Sequence, residues 1–390
     1  MNRLEELIFR CCPNGVPYLK LDTVCDIGKG VQFNKSDMQE EGSYPVINGG
    51  VNPSGYIEKY NNDENTITIS QGGASAGYVN WIETKFWAGA HCYVLKPKQS
   101  VLKRFVYHFI KSMEYKLQEC QYGAGIPALA KKTIARLMIP VPPIEVQSEV
   151  VRILDNFTEL TAELTAELTA RKKQYNYYRE ELLNFEGKEI EWKPLGEIFD
   201  LKNGYTPSKS NQEYWTNGTI PWFRMEDIRE NGRVLSRSIQ YVNTCAIKGG
   251  RLFPANSIII ATSATIGEHA LITVPFLSNQ RFTNLSLKKD YADKFIIKFL
   301  FYYGFVLDEW CKNNITVGNF AGVDMVGFKK FQIPIPPLEE QERIVTILDK
   351  FDTLTTSLTE GLPKEIELRQ KQYEYYRDML LTFPNDNLKA

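Results

Sequence analysis

Apolar residues recur four and three apart at Val146, Val150, Ile153, Phe157, Leu160 and Leu164, and Tyr175, Tyr178, Leu182 and Phe185 resume that rhythm. This is the spacing of a two-helix seam. Pro142-Pro143 stands just ahead of it, and Pro336-Pro337 stands ahead of a second periodic stretch. Both pairs mark helix starts, because proline is tolerated in the first helical turn and not beyond it. The first helix is predicted over residues 144–185, roughly 60 Å of rise, too long a span for one small domain. Within it Thr161-Ala162-Glu163-Leu164 is followed by Thr165-Ala166-Glu167-Leu168, and the resulting four-and-four spacing of Leu160, Leu164 and Leu168 inserts a stutter. The second helix carries Gly361-Leu362-Pro363, which predicts a break there and a restart at Lys364-Glu365.

The regions outside the helices, about 16–138 and 190–332, read as short β-branched runs between Gly, Asn and Pro turns, for example Asn65-Thr66-Ile67-Thr68-Ile69 and Ser257-Ile258-Ile259-Ile260. The two regions align weakly. Residues 21–30 match 195–204, 65–73 match 256–264, and 86–95 match 276–285. The helical parts repeat strongly. Ile139-Pro140-Val141-Pro142-Pro143-Ile144-Glu145-Val146-Gln147 returns as Ile333-Pro334-Ile335-Pro336-Pro337-Leu338-Glu339-Glu340-Gln341, and Gln174-Tyr175-Asn176-Tyr177-Tyr178-Arg179 returns as Gln372-Tyr373-Glu374-Tyr375-Tyr376-Arg377. Leu4-Glu5-Glu6-Leu7 also resembles Arg179-Glu180-Glu181-Leu182, as though the repeat had been cut and its ends should meet. The chain is two similar halves with a shared framework and divergent loops.

Composition narrows the function classes. A net charge of −1 shows no global basic excess, so affinity for nucleic acid must come from local patches or partners. Seven cysteines without a Cys-x-x-Cys pair suit reduced thiols in a cytosol. There is no apolar run of membrane-spanning length and no signal-peptide pattern at the start. No phosphate-cradling Gly-x-x-x-x-Gly-Lys-(Ser/Thr), no Asn/Asp-Pro-Pro-Tyr/Phe and no His-Glu-x-x-His occurs. His91, His108 and His269 lie far apart and read as packing or surface residues, and Gly28-Lys29-Gly30, Gly72-Gly73 and Gly123-Ala124-Gly125 read as turns.

The paired Ile-Pro-x-Pro-Pro-(Ile/Leu)-Glu-x-Gln and Gln-Tyr-x-Tyr-Tyr-Arg segments, with the Thr-Ala-Glu-Leu tandem, resemble the specificity subunits, S or HsdS, of Type I restriction-modification systems over the whole chain. The resemblance implies an α+β fold: two similar globular target-recognition domains separated by two long antiparallel helices forming a coiled coil, in a pseudo-twofold circular arrangement. The expected divisions are 1–143 for the first recognition domain, 144–187 for the central helix, 188–337 for the second recognition domain and 338–390 for the C-terminal helix. It further implies a non-catalytic, cytoplasmic bacterial or archaeal subunit with no cofactor of its own. Its partners would be double-stranded DNA with a bipartite site, two methyltransferase subunits using S-adenosylmethionine, and two restriction subunits using ATP and Mg. A coiled-coil scaffold without DNA readout is the competing reading, and a fused restriction-methylation enzyme lacks its cofactor motifs.

Base readout requires Asn or Gln for adenine, Arg or Lys for guanine, and small or hydroxyl residues where backbone comes close. The loops of the first domain offer Lys29, Gln32, Asn34 and Lys35, then Asn48, then Ser70, Gln71 and Ser75. Those of the second offer Lys202, Tyr205, Thr206 and Lys209, then Arg224, then Thr262 and Ser263, then Gln280 and Arg281. Ser70, Gln71, Arg224 and Arg281 lead the set. Helical spacing assigns Tyr178 and Tyr376 to the coiled-coil seam or to partner contact. The resemblance places Gln147 and Gln341 where modification subunits dock.

Overall fold

The computed structural model describes residues 3–123, 125–317, 321–357 and 359–383. The chain forms two compact units, one of residues 1–163 with 366–390 and the other of residues 164–365. The fold is α+β, with two domains and long helices. Among the described residues no helix is long and apolar enough to cross a membrane.

The central helix runs without interruption over Ile144–Leu183. It starts immediately after Pro142-Pro143, as Leu338–Thr356 starts after Pro336-Pro337. Its first half belongs to the first unit and its second half to the second. The C-terminal helical stretch is divided into Leu338–Thr356 and Gly361–Leu380. The restart therefore falls at Gly361 rather than at Lys364. Gly361 takes a left-handed φ of +81°, where a Cβ would collide with the carbonyl oxygens of Thr353 and Leu354. Pro363 then occupies the first turn, where its missing N–H costs nothing.

In the first unit an antiparallel sheet runs in the order Cys25–Lys29, Cys92–Pro97, Thr66–Ser70, Val79–Ile82. In the second the order is Phe199–Asn203, Phe282–Leu287, Ser257–Ala261, His269–Ile272, with Val234–Leu235 added in parallel at the edge. Each unit adds a three-stranded sheet, centred on Tyr44–Ile47 in one and Ile220–Phe223 in the other. The chain enters and leaves each sheet region through a zipped pair, Tyr18–Lys20 with Met138–Pro140 and Glu191–Pro194 with Gln332–Ile335. Apolar residues of the helices complete each core: Val146, Val150, Leu154 and Tyr373 in the first unit, and Tyr175, Ile344 and Leu348 in the second.

Ile153-Leu154-Asp155 returns as Ile347-Leu348-Asp349, and the two carry the same electrostatic device, one in each unit. Asp155 accepts from Arg104 Nε at 2.7 Å and His108 Nε2 at 2.8 Å, and Asp349 accepts from Lys298 Nζ and the Tyr302 hydroxyl, both at 2.6 Å. His108 is fully buried and its Nδ1 lies 3.2 Å from the Tyr373 hydroxyl. A neutral ring protonated on Nε2 satisfies both neighbours. Burial pushes the His108 pKa below 6.5, against the pull of the Asp155 hydrogen bond. Burial raises Asp155, but hydrogen bonds from His108 and Arg104 outweigh it and hold that carboxyl below its ordinary value. For both groups the unfolded chain binds protons more readily than the fold, so this contribution to stability is present above those values and lost as pH falls. Tyr302, in the equivalent place, is pushed upward by burial and does not titrate in acid. Acidification from about pH 6.5 is therefore expected to loosen the first unit around His108. Hydrogen exchange followed per unit would show this, and equal acid sensitivity in the His108→Tyr variant would count against it.

Candidate nucleic-acid interface

Backbone hydrogen bonds gather four loops of the first unit at one sheet end. Gly30 N donates to Cys92 O at 2.9 Å, Val31 N to Ala88 O at 2.8 Å, Gly89 N to Ile47 O at 2.8 Å and Gln71 N to His91 O at 2.8 Å. The second unit repeats each contact at the matching positions. Gly204 N donates to Phe282 O at 2.9 Å, Tyr205 N to Ser278 O at 2.8 Å, Asn279 N to Phe223 O at 3.0 Å and Thr262 N to Arg281 O at 3.0 Å. A fifth loop closes each rim, through Leu129 N to Gln71 O at 2.7 Å and Val323 N to Thr262 O at 3.0 Å. Gly73 and Ala264 share a left-handed backbone at the same step of the loop, with φ of +81° and +65°. The two rims are one backbone design carrying different side chains.

Most of the sequence candidates keep side-chain surface open to solvent. Lys29, Gln32, Asn34, Lys35, Lys202, Lys209, Gln280 and Arg281 are exposed, and Asn48, Gln71, Ser75, Thr206, Arg224, Thr262 and Ser263 are half-buried. Several are partly committed. Asn48 Oδ1 accepts from His91 N at 3.2 Å, the Thr206 hydroxyl donates to Gln280 Oε1, and the Thr262 and Thr283 hydroxyls are bonded at 2.9 Å. Gln71 keeps a buried Oε1 with no partner among the described residues. Trp87 anchors the Gln32–Lys35 loop by donating from its indole to Val31 O at 3.0 Å.

Four expectations need correction. Ser70 is only 6% exposed, because every residue of Thr66–Ser70 is covered on both faces. Tyr205 packs its ring in a small core, and its hydroxyl donates to Ala246 O at 3.0 Å and accepts from Lys248 N at 2.9 Å, so it builds the rim from beneath. Gln147 and Gln341 are 0% exposed and present no group to a partner. Gln147 Oε1 accepts from Leu102 N at 2.8 Å while its Nε2 donates to Pro142 O at 2.7 Å and Ser100 O at 3.2 Å. Gln341 does the same with Ile296 N at 2.9 Å, Pro336 O at 2.8 Å and Lys294 O at 2.9 Å. Each amide caps the N-terminus of a second helix, Lys103–Ser112 or Ile297–Asn313, and ties it to the seam helix. Tyr178 and Tyr376 lie on the seam, stacked on Phe351 and Phe157 with ring centroids 5.6 and 5.4 Å apart.

Sequence reading missed three features. His91 is exposed at the rim, where the match of 86–95 to 276–285 already set it opposite Arg281. Exposed Tyr122 and Ile126 belong to the closing loop of the first unit, and Ile315 to that of the second. Ala124 of the Gly-Ala-Gly turn lies outside the described residues. The third is a cavity of about 340 Å³ in the second unit, lined by Lys209, Gln212, Trp215, Thr216, Trp222, Arg224 and Gln240.

Sequence comparison matches residues 13–171 and 187–368 to the Type I restriction modification DNA specificity domain. The chain belongs to that family. It is 60% identical over 220 residues to the Type I restriction enzyme EcoprrI specificity subunit of Escherichia coli, a match spanning 55% of this chain and 54% of that one. It is 34% identical over 384 residues to a putative type I restriction enzyme specificity subunit of Haemophilus influenzae, covering 94% and 96% of the two chains. The crystal structure of the S subunit of a Type-I restriction-modification system from M. genitalium shares the fold, with a TM-score of 0.59 at 19% identity over 95% of this chain and 96% of that one.

Proposed function

We propose that this chain is the sequence-reading subunit of a Type I restriction-modification complex, each unit reading one half of a bipartite site in double-stranded DNA. The observation that carries the reading is the pair of rims: the same backbone contacts hold Lys29, Asn48, Gln71 and His91 in one unit and Asn203, Arg224, Thr262 and Arg281 in the other. Invariant backbone with divergent donors and acceptors is what two independent base readers require. The chain itself carries out no chemistry. Methyltransferase subunits with S-adenosylmethionine and restriction subunits with ATP and Mg supply it, docking along the seam helices near Tyr178 and Tyr376. Those partners also supply the positive charge that a chain of net charge −1 lacks.

Co-expression with its methyltransferase subunit in a methylation-free host, followed by genome-wide mapping of N6-methyladenine, tests the proposal. A split motif of two fixed halves and a constant gap is expected. A stable complex without new methylation would favour a scaffold that binds no DNA. Thr165–Leu168 lies inside the uninterrupted central helix. Deleting those four residues removes about 6 Å of helix rise and is expected to change the gap while leaving both halves of the motif intact. An unaltered gap would refute the helix as ruler.

A further inference from the structure

We infer that Arg224 is the guanine-reading residue of the second unit, an inference that rests on the proposed specificity role. Arg224 follows the strand Ile220–Phe223 and stands on the rim formed with Thr206, Thr262 and Arg281. Its neighbours leave its charge available. Asp227, the nearest buried carboxylate along the chain, spends Oδ2 on Arg224 N at 2.7 Å and Oδ1 on Ile239 N at 2.6 Å. The ion pair the guanidinium does make is to the exposed Glu226, at 3.9 Å. Such an exposed contact holds a side chain weakly. Arg224 Nε is buried and has no hydrogen-bond partner among the described residues.

The side chain is nevertheless oriented. Its Cζ lies 5.6 Å from the Trp222 ring centroid. Trp222 is itself 3% exposed and fixed by its indole N–H to Tyr205 O at 3.0 Å and by an edge contact with Trp215. Stacking on a rigid aromatic removes much of the ordering cost an arginine otherwise meets on binding. The guanidinium also lines the cavity of about 340 Å³, which gives a base edge room to approach. A planar fork with unspent donors is the complement of guanine O6 and N7.

The matching residue of the first unit is Asn48, whose carbonyl accepts from His91 N at 3.2 Å and so braces its own rim. At the same address the first unit therefore spends the Asn48 carbonyl on its own backbone and keeps only the amide N–H groups to present. A change at Arg224 should alter one half-site alone.

The test is to map methylation by the wild type, Arg224→Ala and Arg224→Gln, each co-expressed with the methyltransferase subunit. The wild-type motif is expected to hold a guanine that Arg224→Ala discriminates about ten- to a hundredfold less well, with the other half and the gap unchanged. Arg224→Gln, which keeps a long polar side chain should the alanine variant fold poorly, is expected to move that position toward adenine. An unaltered motif in both variants overturns the inference. So does a uniform fall in methylation with the motif intact, the signature of a phosphate contact. Absence of any split motif with the wild type would instead defeat the specificity role.

Discussion

Replacing Gln147 with alanine is expected to destabilise the first unit by about 3 kcal/mol, and Gln341→Ala the second by as much. Each amide is fully buried and makes three hydrogen bonds to backbone. Truncation leaves an orphaned helix N-terminal N–H, two carbonyls without that donor, and a void the size of a carboxamide. A buried group left unpaired costs about 1–3 kcal/mol, so a loss of about 3 kcal/mol is reached without every bond failing in full. For units of this size the melting transition should fall by roughly 6–12 °C. Gln147→Glu separates polarity from packing. It keeps the shape, but a carboxylate cannot donate to Pro142 O or Ser100 O and carries a charge into a dry site. It should therefore be worse than alanine. Differential scanning calorimetry decides: a wild-type transition for Gln147→Ala would show that the amide holds nothing, and a mild Gln147→Glu would show that only its volume matters. The two single effects should add in the double variant, because the residues lie in different units and share no partner.

These glutamines also show where sequence reading stops. The repeat announced that positions 147 and 341 matter in both halves, but a polar residue in the turn after Pro-Pro reads equally well as solvated, docking or buried. What decides is the neighbouring helix start at Leu102 or Ile296, about 45 residues away in sequence, and no local pattern reports it. The helices were legible because periodicity and proline act locally: both starts fall where the Pro-Pro pairs put them. The sheet candidates were half legible. Thr66-Ile67-Thr68-Ile69-Ser70 alternates like a strand with one wet face, yet all five residues are buried because the strand is central and both its faces are covered. Ser70 was lost to that override of the alternation rule. The cavity beside Arg224 was illegible for another reason. It needs Trp215 from a short turn, Trp222 from a strand and Gln240 from a distant loop to converge, and loops of this kind carry no periodic signal.

Adding one methyl group at Gly30 or Gly204 is expected to disable one reading head and spare the other. A Cβ on Gly30 would overlap the backbone of Ala88 and Gly89, and one on Gly204 would overlap the carbonyls of Ser278 and Asn279, in each case closer than any real non-bonded approach. The obstruction is main chain, which cannot rotate away as a side chain can. Relief requires the two backbones to part, breaking Val31 N to Ala88 O in the first unit or Tyr205 N to Ser278 O in the second. Those bonds set the spacing of the rims, so the candidate readers would be displaced even where the unit stays folded. Overpacking of this kind costs about 1–3 kcal/mol and occasionally more, and a shift near 1 Å suffices to spoil bidentate base contacts. Methylation mapping should show Gly30→Ala and Gly204→Ala each relaxing or losing a different half of the motif. If Gly30→Ala methylates the wild-type motif at the wild-type level, the rim is not the reading surface. If both variants degrade the same half, the two units do not read independently, and the correspondence between their rims reflects shared ancestry of the scaffold rather than shared use.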